Sequence, residues 1–413
     1  MNASSQELRI DVHGVRVGMY VSRLDRPWIN TPFLLEGFLV SSSEEIEDLQ
    51  RYCKSVYVDV TRGQSPELRY VQLEQEGGQQ NNRNEFAAMG KTLWKQITEF
   101  EDELPKARDA HKILRAGIEE IMEDLRQGHS LQLSKLSKGV DAMVNSITRN
   151  PNAFGWLREI KRKDNYVYHH ALSCSVWAAS FGRHLGLIHD ELTELTLAGL
   201  LFDVGKTRLP LEMLNMRGRF SDEDHAVMQT HVQHSLDILE KTSDISPKII
   251  EAVATHHERH DGSGYPNGLS RDSIPIYGRI LGLIDSYDAM TSIRPHMPSR
   301  SPHQAVMDLY ESRGTLFQPE LVEQFIQTSG IYPTGSLVEL TDGQVGVVTT
   351  VHNLKRLRPT VMLLLDAEKQ PLKEFNSVNL AARNPAGEGY ALGIKSGLPQ
   401  GAFGIDPTDL FID

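Results

Sequence analysis

Eleven consecutive residues of this chain read His256-His257-Glu258-Arg259-His260-Asp261-Gly262-Ser263-Gly264-Tyr265-Pro266. Imidazole is a common ligand of divalent transition metals, and carboxylates often complete such sites. The Gly-Ser-Gly-Tyr-Pro part must leave helical geometry, because glycine tolerates a positive φ and proline lacks a backbone donor. The run therefore predicts a metal-binding helix end that continues directly into a shaped loop.

Further imidazoles and carboxylates lie on both sides of this run, several of them inside apolar segments. Asp203 follows the apolar segment Leu197–Phe202, and Asp285 follows the apolar segment Ile280–Ile284. An ionised carboxylate in such a segment is costly unless it is paired or binds a cation. A metal centre would satisfy several of these groups at once, and the candidates outside the run are His170, Asp203, His231, Asp285 and Asp288. His169, His234 and His260 border these positions and are expected to lie behind the ligands or to face solvent.

Taken together, this signature and the ordered residues around it resemble the HD-GYP domain, a branch of the HD metallohydrolases. The resemblance covers residues 151–330 and rests on His170, Asp203, Lys206, His231, the run from His256 to Pro266, and Asp285. It implies an all-helical domain that holds iron or manganese ions and hydrolyses cyclic di-GMP to linear pGpG or to GMP. Residues 1 to about 140 resemble the N-terminal domain of unknown function that often precedes HD-GYP domains.

One position departs from the family pattern. The His-Asp doublet for which the family is named reads Phe202-Asp203 here, and phenylalanine offers no lone pair to a metal. The resemblance implies that two divalent ions are held by His170, Asp203, Asp285, His231, His256 and His257, with Asp203 bridging them. Because the first site, of His170, Asp203 and Asp285, lacks one ligand, we expect it to be weakened rather than lost.

The resemblance also assigns roles in substrate binding and catalysis. Lys206, together with Asp203, is the expected catalytic pair, since an ammonium beside the metals would stabilise charge on a phosphodiester. The expected substrate contacts are Arg294, whose planar fork suits phosphate, and the loop residues Gly264, Tyr265 and Pro266. Taken alone, Lys206 and Arg294 would be ordinary surface charges, and Asp288 a helix cap or buried hydrogen bonder.

Two other functions remain open at the level of sequence. Loss of the doublet histidine would suit a receptor that binds cyclic di-GMP without cleaving it. The Gly-Tyr-Pro loop would alternatively suit a docking module for diguanylate cyclases, the GGDEF-domain proteins. Retention of the other candidate ligands favours hydrolysis, because a docking surface has little need for costly clustered imidazoles and carboxylates.

Composition limits the class of protein and its partners. The 413 residues carry a net charge of −12, with 39% hydrophobic and 24% charged residues, so we expect a soluble globular chain without a broad DNA or RNA surface. No apolar run reaches the roughly 18–20 residues that cross a bilayer. Cys53 and Cys174 are far apart and the N-terminal residues show no secretion signal, which favours a cytoplasmic protein with reduced thiols.

The chain is predicted to be multidomain, with an all-α HD-type helical bundle as its core. A small strand-rich α+β unit is expected at 1–78, with a short helix near Ser42–Tyr52, and a linker with amphipathic helices at 79–150. The catalytic helices follow at 151–330, and residues 331–413 form a small β appendix with an Asp342-Gly343 hairpin turn. Apolar residues recur at helical spacing from Leu114 to Ile147, which predicts either core packing or a partner-helix seam in a homodimer.

Overall fold

The fold is taken from a computed structural model, which describes residues 7–26, 31, 33, 37–60, 62–71, 92–160, 166–214, 216, 218, 220–292, 299–351, 357–382, 392–399 and 401–405. Residues 79–91, the start of the predicted linker and amphipathic helices at 79–150, fall outside these residues. The predicted all-helical core with a small N-terminal α+β unit and a C-terminal sheet is confirmed.

The N-terminal unit is an antiparallel sheet covered by one helix. Strands β1 (Glu7–Asp11), β4 (Ser55–Asp59), β2 (Tyr20–Leu24) and β3 (Phe38–Leu39) pair in that order. Helix α1 (Ser43–Tyr52) begins with a capping box in which Ser42 and Glu45 bond each other's backbone amides. The apolar side chains of these elements form a hydrophobic cluster of their own, which gives the unit a separate core.

Two long helices, α2 (Phe100–Arg126) and α3 (Ser134–Arg149), follow and pack against each other. They approach so closely that a Cβ on Gly139 would lie 2.9 Å from the Cα of Leu114. Glu103, which is fully buried, accepts two hydrogen bonds of 2.6 and 2.9 Å from the Arg149 guanidinium. The apolar stripe predicted from Leu114 to Ile147 lies in the largest hydrophobic core of the chain, so it is a core face rather than a seam left open for a partner.

The helical domain continues from these two helices without a break in the core. Its elements are α4 (Pro151–Ile160), α5 (Tyr166–His184), α6 (His189–Leu201), α7 (Leu211–Leu214), α8 (Asp222–Gln229), α9 (His231–Leu239), α10 (Pro247–Thr255), α11 (Ile276–Thr291), α12 (Pro302–Glu311) and α13 (Pro319–Ser329). Within the described ranges, no helix combines the length and apolar character that crossing a membrane requires. Cys53 and Cys174 are both buried free thiols.

The C-terminal sheet is formed by β5 (Leu337–Leu340), β6 (Val345–Thr350), β7 (Thr360–Leu365), β8 (Ser377–Asn379) and β9 (Ile394–Leu398), in the order β8-β7-β6-β5-β9. The predicted hairpin is present, since β5 and β6 pair antiparallel across a turn in which Gly343 has a φ of 89°. Side chains of this sheet pack on Trp156 of α4 and also enter the main core. The sheet is therefore fixed on the helical domain by a shared hydrophobic interior.

Candidate metal centre

Four predicted ligands, Asp203, His231, His256 and His257, meet in one cluster, and their ligand atoms lie within 4.8 Å of one another. Asp203 comes just after α6, at the start of a short 3-10 turn (Val204–Arg208), and His231 is the first residue of α9. His256 and His257 follow the end of α10. The fold thus brings the ends of three helices together. Side chains at helix ends are less constrained by the packing of a regular helix, so they can converge on one point.

Two of these imidazoles have their ring nitrogens fixed by backbone carbonyls. The Nδ1 of His231 lies 2.6 Å from the carbonyl oxygen of Met228, and the Nδ1 of His256 lies 2.7 Å from that of Val253. Each Nδ1 must carry the proton to make this bond, so each Nε2 presents a lone pair to the cluster. This is the tautomer that a metal site needs.

The Nε2 of His256 gives a direct test of whether a metal fits. This atom is buried and has no hydrogen-bond partner among the described residues, which leaves a buried acceptor unsatisfied. Burial and the neighbouring His231 lower the pKa of His256 to about 4, so the ring is neutral at pH 7. A divalent cation would satisfy this lone pair without having to displace a proton.

The first site predicted from the sequence, formed by His170, Asp203 and Asp285, is the first ligand group, and it adjoins the cluster of Asp203, His231, His256 and His257. The Nε2 of His170, on α5, lies 3.0 Å from Asp285 Oδ1 and 3.4 Å from Asp203 Oδ2, while Asp203 Oδ1 lies 3.2 Å from the Nε2 of His231. The two oxygens of Asp203 therefore face the two groups separately. This is the arrangement that a carboxylate bridging two cations would have.

The charge state of both carboxylates suits cation binding. Burial alone would raise the pKa of Asp203, but the Lys206 ammonium and the neighbouring imidazoles of His170 and His231 hold it well below its ordinary value. Burial likewise opposes ionisation of Asp285, but the adjacent imidazoles of His170 and His257 lower its pKa overall. Both side chains are ionised at neutral pH.

Asp288, one turn after Asp285 on α11, orients His170 rather than joining the metal groups described above. Its Oδ2 lies 2.8 Å from the Nδ1 of His170 and accepts a 3.1 Å hydrogen bond from the hydroxyl of Ser292, while Oδ1 accepts one from Ser173. A carboxylate on Nδ1 turns the Nε2 lone pair of His170 towards Asp203 and Asp285 and raises its basicity. The sequence signal for this role was the i, i+3 spacing of the two aspartates in an apolar helix.

Phe202 occupies the space between the two groups. Its ring is buried and packs edge-on against the imidazoles of His170, at 5.6 Å between centroids, and of His256, at 4.9 Å. Among the described residues the first group therefore has three ligands, one imidazole and two carboxylates, and an apolar ring borders it. An imidazole at this position would face the same two neighbours.

Lys206 lies where the sequence predicts an ammonium beside the metals. Its Nζ donates a 2.5 Å hydrogen bond to Oδ2 of Asp203, and its side chain is largely buried. The same ammonium contributes to the depressed pKa of Asp203. Lys206 thus compensates the negative charge of the buried Asp203 carboxylate.

The Gly-Ser-Gly-Tyr-Pro loop closes over one side of the cluster. The Tyr265 ring stacks on the imidazole of His257 with 4.5 Å between centroids, and burial raises the pKa of Tyr265 above its ordinary value, so the phenol stays neutral. A Cβ on Gly264 would lie 2.4 Å from the amide nitrogen of Arg259 and from the carbonyl oxygen of His257. Only glycine allows this close approach, which places Tyr265 and the following Pro266 beside the metal groups.

Glu258 and Asp261, the two carboxylates of the signature, are directed away from the cluster. Glu258 is buried and accepts hydrogen bonds of 2.8 and 2.9 Å from the backbone amides of Asn267 and Leu269. Asp261 accepts a bond from the amide of Ser263. The oxygens of both carboxylates are thus used to fix the loop. The predicted phosphate contact Arg294 lies outside the described residues.

Comparison with known proteins identifies the domains and relatives that this chain resembles. Residues 156–321 match the model of the HD domain, residues 7–136 match a domain of unknown function, and residues 337–385 match the KOW domain associated with HD domains. A cyclic di-GMP phosphodiesterase of Pseudomonas aeruginosa is 30% identical over 88% of this chain and 86% of its own length.

Two further relatives match over a shorter region. A cyclic di-GMP phosphodiesterase of Thermotoga maritima is 33% identical over 40% of this chain and 45% of that protein. A 3'3'-cGAMP-specific phosphodiesterase of Vibrio cholerae is also 33% identical, over 38% of this chain and 30% of that protein. The similarity to the Pseudomonas protein thus extends well beyond the part that the other two share.

Proposed function

This chain belongs to the HD-GYP family of HD domain proteins, and on that premise we propose that it is a metal-dependent phosphodiesterase that hydrolyses cyclic di-GMP. The observation that carries the proposal is the pair of ligand groups sharing Asp203. Clustered imidazoles and ionised carboxylates in a buried site are costly unless a cation binds them. The P. aeruginosa relative, which matches most of the chain, is named for the same substrate.

The proposed ligands divide into a complete and an incomplete set. His231, His256 and His257 would hold one ion with Asp203, while His170 and Asp285 would hold a second with the other oxygen of Asp203. Imidazole and carboxylate donors suit iron and manganese, which we propose as the native metals. When bound, two such ions lower the pKa of water and stabilise charge on a phosphodiester.

The side chains around the ligands have separate tasks in this proposal. Lys206, with its ammonium at Asp203 Oδ2, would stabilise negative charge on a non-bridging phosphate oxygen. Tyr265 would shape the substrate edge of the site, because its ring already stacks on the His257 imidazole. Gly264 and Pro266 would set the path of the loop, and Arg294 remains a phosphate contact proposed from sequence alone. The product would be linear pGpG or GMP.

Phe202 favours one alternative function, a receptor that binds cyclic di-GMP without cleaving it. The buried ring removes a donor from the first metal group, and a single ion would still hold a phosphate without supporting rapid hydrolysis. Docking of GGDEF-domain proteins on the exposed part of the Gly-Tyr-Pro loop is a second alternative. Hydrolysis remains our proposal because the six candidate ligands still form two groups that share Asp203.

We further propose the division into units 1–78, 79–150, 151–330 and 331–413, with the N-terminal unit positioning the enzyme or sensing a signal. A cytoplasmic location, in which the buried thiols stay reduced, and a homodimer are part of the same proposal. The apolar stripe from Leu114 to Ile147 would not form the dimer contact, since it is buried within the chain.

A turnover assay with manganese or ferrous iron, run beside a binding isotherm for cyclic di-GMP, tests these functions together. We expect hydrolysis by the wild-type chain and its loss in Asp203→Ala and His256→Ala. His225→Ala, which removes an exposed imidazole beside Phe220, is the matched control and should keep full turnover. Binding without turnover would establish the receptor instead. Wild-type turnover in Asp203→Ala would disprove the mechanism.

A further inference from the structure

A second cavity lies between the helical domain and the C-terminal sheet, with a volume of about 470 Å³. Its walls come from the segment before α2, from α4 and α5, from the end of α13 and from β6. The candidate metal ligands are not among its lining residues. The volume falls within the range of about 300–1,000 Å³ that is typical of small-molecule sites.

Two arginines, Arg158 and Arg183, line this cavity. Arg158 is buried, and its guanidinium carbon lies 3.8 Å from the centre of the Trp177 ring. Arg183 is half-buried and donates from Nε to the carbonyl oxygen of Thr148, at 3.2 Å, and from Nη2 to that of Trp94, at 3.3 Å. Neither carbonyl carries a net charge, so these bonds do not neutralise Arg183.

The guanidinium of Arg183 has spare capacity for a ligand. In the part of the chain that the structure describes, no carboxylate forms a salt bridge with it and its Nη1 makes no hydrogen bond. Burial lowers the pKa of Arg183, which shows that its charge is poorly solvated. A half-buried guanidinium beside a cavity is the donor that phosphate and carboxylate groups match best.

The acidic residues that line the cavity do not neutralise the Arg183 guanidinium. Glu99 and Glu101 are both exposed and stand at the start of α2, where negative side chains stabilise the helix terminus. Water and salt screen exposed charges of this kind. Arg183 therefore brings a positive charge to the cavity wall, while Glu99 and Glu101 are exposed to solvent.

The remaining walls are part apolar and part hydroxylic. Trp94, Phe100 and Val351 contribute apolar surface, and Ser180 and Thr334 add hydroxyl groups. An inorganic anion would use the guanidinium but would leave the apolar walls without a partner. We propose that this cavity binds a phosphate-bearing small molecule of mononucleotide size, with the phosphate on the Arg183 guanidinium and the base against the apolar wall.

The proposed site is separate from the metal centre although one helix serves both. Helix α5 carries His170 near its start and Arg183 near its end. Thirteen residues of helix correspond to about 20 Å, so one mononucleotide cannot touch both. Because the cavity walls belong to three parts of the chain, a bound ligand would also stabilise their assembly.

Calorimetric titration of the full chain with GMP and AMP, in the presence of a chelator that empties the metal centre, tests the site. We expect one ligand per chain and at least about tenfold weaker binding of guanosine, which lacks the charge-assisted phosphate bonds. The melting temperature should rise with GMP. Absence of GMP and AMP binding, or binding of inorganic phosphate as tightly as GMP, would overturn the proposal.

Variants locate the binding in the cavity. Arg183→Gln should weaken GMP binding at least about tenfold, and Thr328→Trp, which fills the cavity without removing a charge, should abolish it even if Arg183→Gln fails to fold. Arg313→Gln is the matched control, because the Arg313 guanidinium also donates to a backbone carbonyl but does not line the cavity. His256→Ala should bind as wild type. Loss of binding in His256→Ala with retention in Thr328→Trp would assign the ligand to the metal centre and refute the proposal.

Discussion

Replacing Phe202 by histidine should increase the metal affinity of the first ligand group. The ring lies 5.6 Å from the imidazole of His170 and 4.9 Å from that of His256, centroid to centroid, so an imidazole in its place would present a donor between the two groups. Loss of a partner that merely orients a ligand costs about 10- to 100-fold in metal affinity. A direct ligand should contribute at least as much, so we expect the metal affinity of the first group to rise at least about tenfold in Phe202→His.

The same substitution should destabilise the metal-free protein. Phe202 is 1% exposed, and a buried imidazole without a hydrogen-bond partner costs about 1–3 kcal/mol in mutational data. The free energy of unfolding in chelator should therefore fall in Phe202→His by about that amount. Added manganese should restore it, because binding to the folded state alone raises stability by mass action.

Elemental analysis after dialysis against graded manganese measures the effect, with Phe202→Leu as the matched control. That variant also loses the aromatic ring but gains no donor, so the number of manganese ions bound per chain should be the same as in the wild type. Phe202→His should retain a second ion at a lower concentration of free manganese. The reasoning fails if both variants bind metal with the same stoichiometry and affinity. In that case the ring would not stand at a ligand position.

Three further substitutions test separate parts of the structure. Asp288→Asn should weaken metal binding at the His170 group by about 10- to 100-fold without unfolding the chain, and unchanged affinity in a chelator competition would exclude the orienting role. Glu103→Gln should destabilise by about 3 kcal/mol at pH 7 in urea unfolding. Burial raises the pKa of Glu103, but hydrogen bonds, chiefly from Arg149, lower it overall. Its contribution is therefore full above the unfolded pKa of about 4.3 and is lost as the pH falls through the lower folded-state pKa. The stability gap between the two proteins should narrow as the pH falls below about 4, and a gap independent of pH would contradict this. Gly264→Ala should reduce turnover, because its Cβ would meet backbone atoms at 2.4 Å, and wild-type kinetics would show that the loop position does not matter.

The sequence predicted the elements whose signals are local. The Asp342-Gly343 turn and its flanking strands follow from turn chemistry and alternation, and the helical core follows from periodicity. Periodicity alone could not decide whether the stripe from Leu114 to Ile147 packs within the chain or against a partner. That choice depends on which surfaces meet in three dimensions, and the structure buries the stripe in the chain's own core.

At the metal centre, residue type identified the candidates but not which way each side chain points. Asp285 and Asp288 lie one turn apart on the same helix, and one faces the ligand groups while the other faces the Nδ1 of His170. Glu258 has the chemistry of a ligand, yet backbone amides nine and eleven residues further on use both of its oxygens. Such assignments need the distances across elements, which spacing along the chain does not contain.

Asp203 makes the two ligand groups depend on each other. One of its oxygens faces His231 and the other faces His170, so a cation held by His231, His256 and His257 would fix the carboxylate in the orientation that the first group also requires. The Asp203 side chain then loses its conformational entropy when the first ion binds, and the second ion does not have to order it again. Because Phe202 offers no donor to the first group, we expect the group of His231, His256 and His257 to bind its ion at a lower free metal concentration than the group of His170 and Asp285.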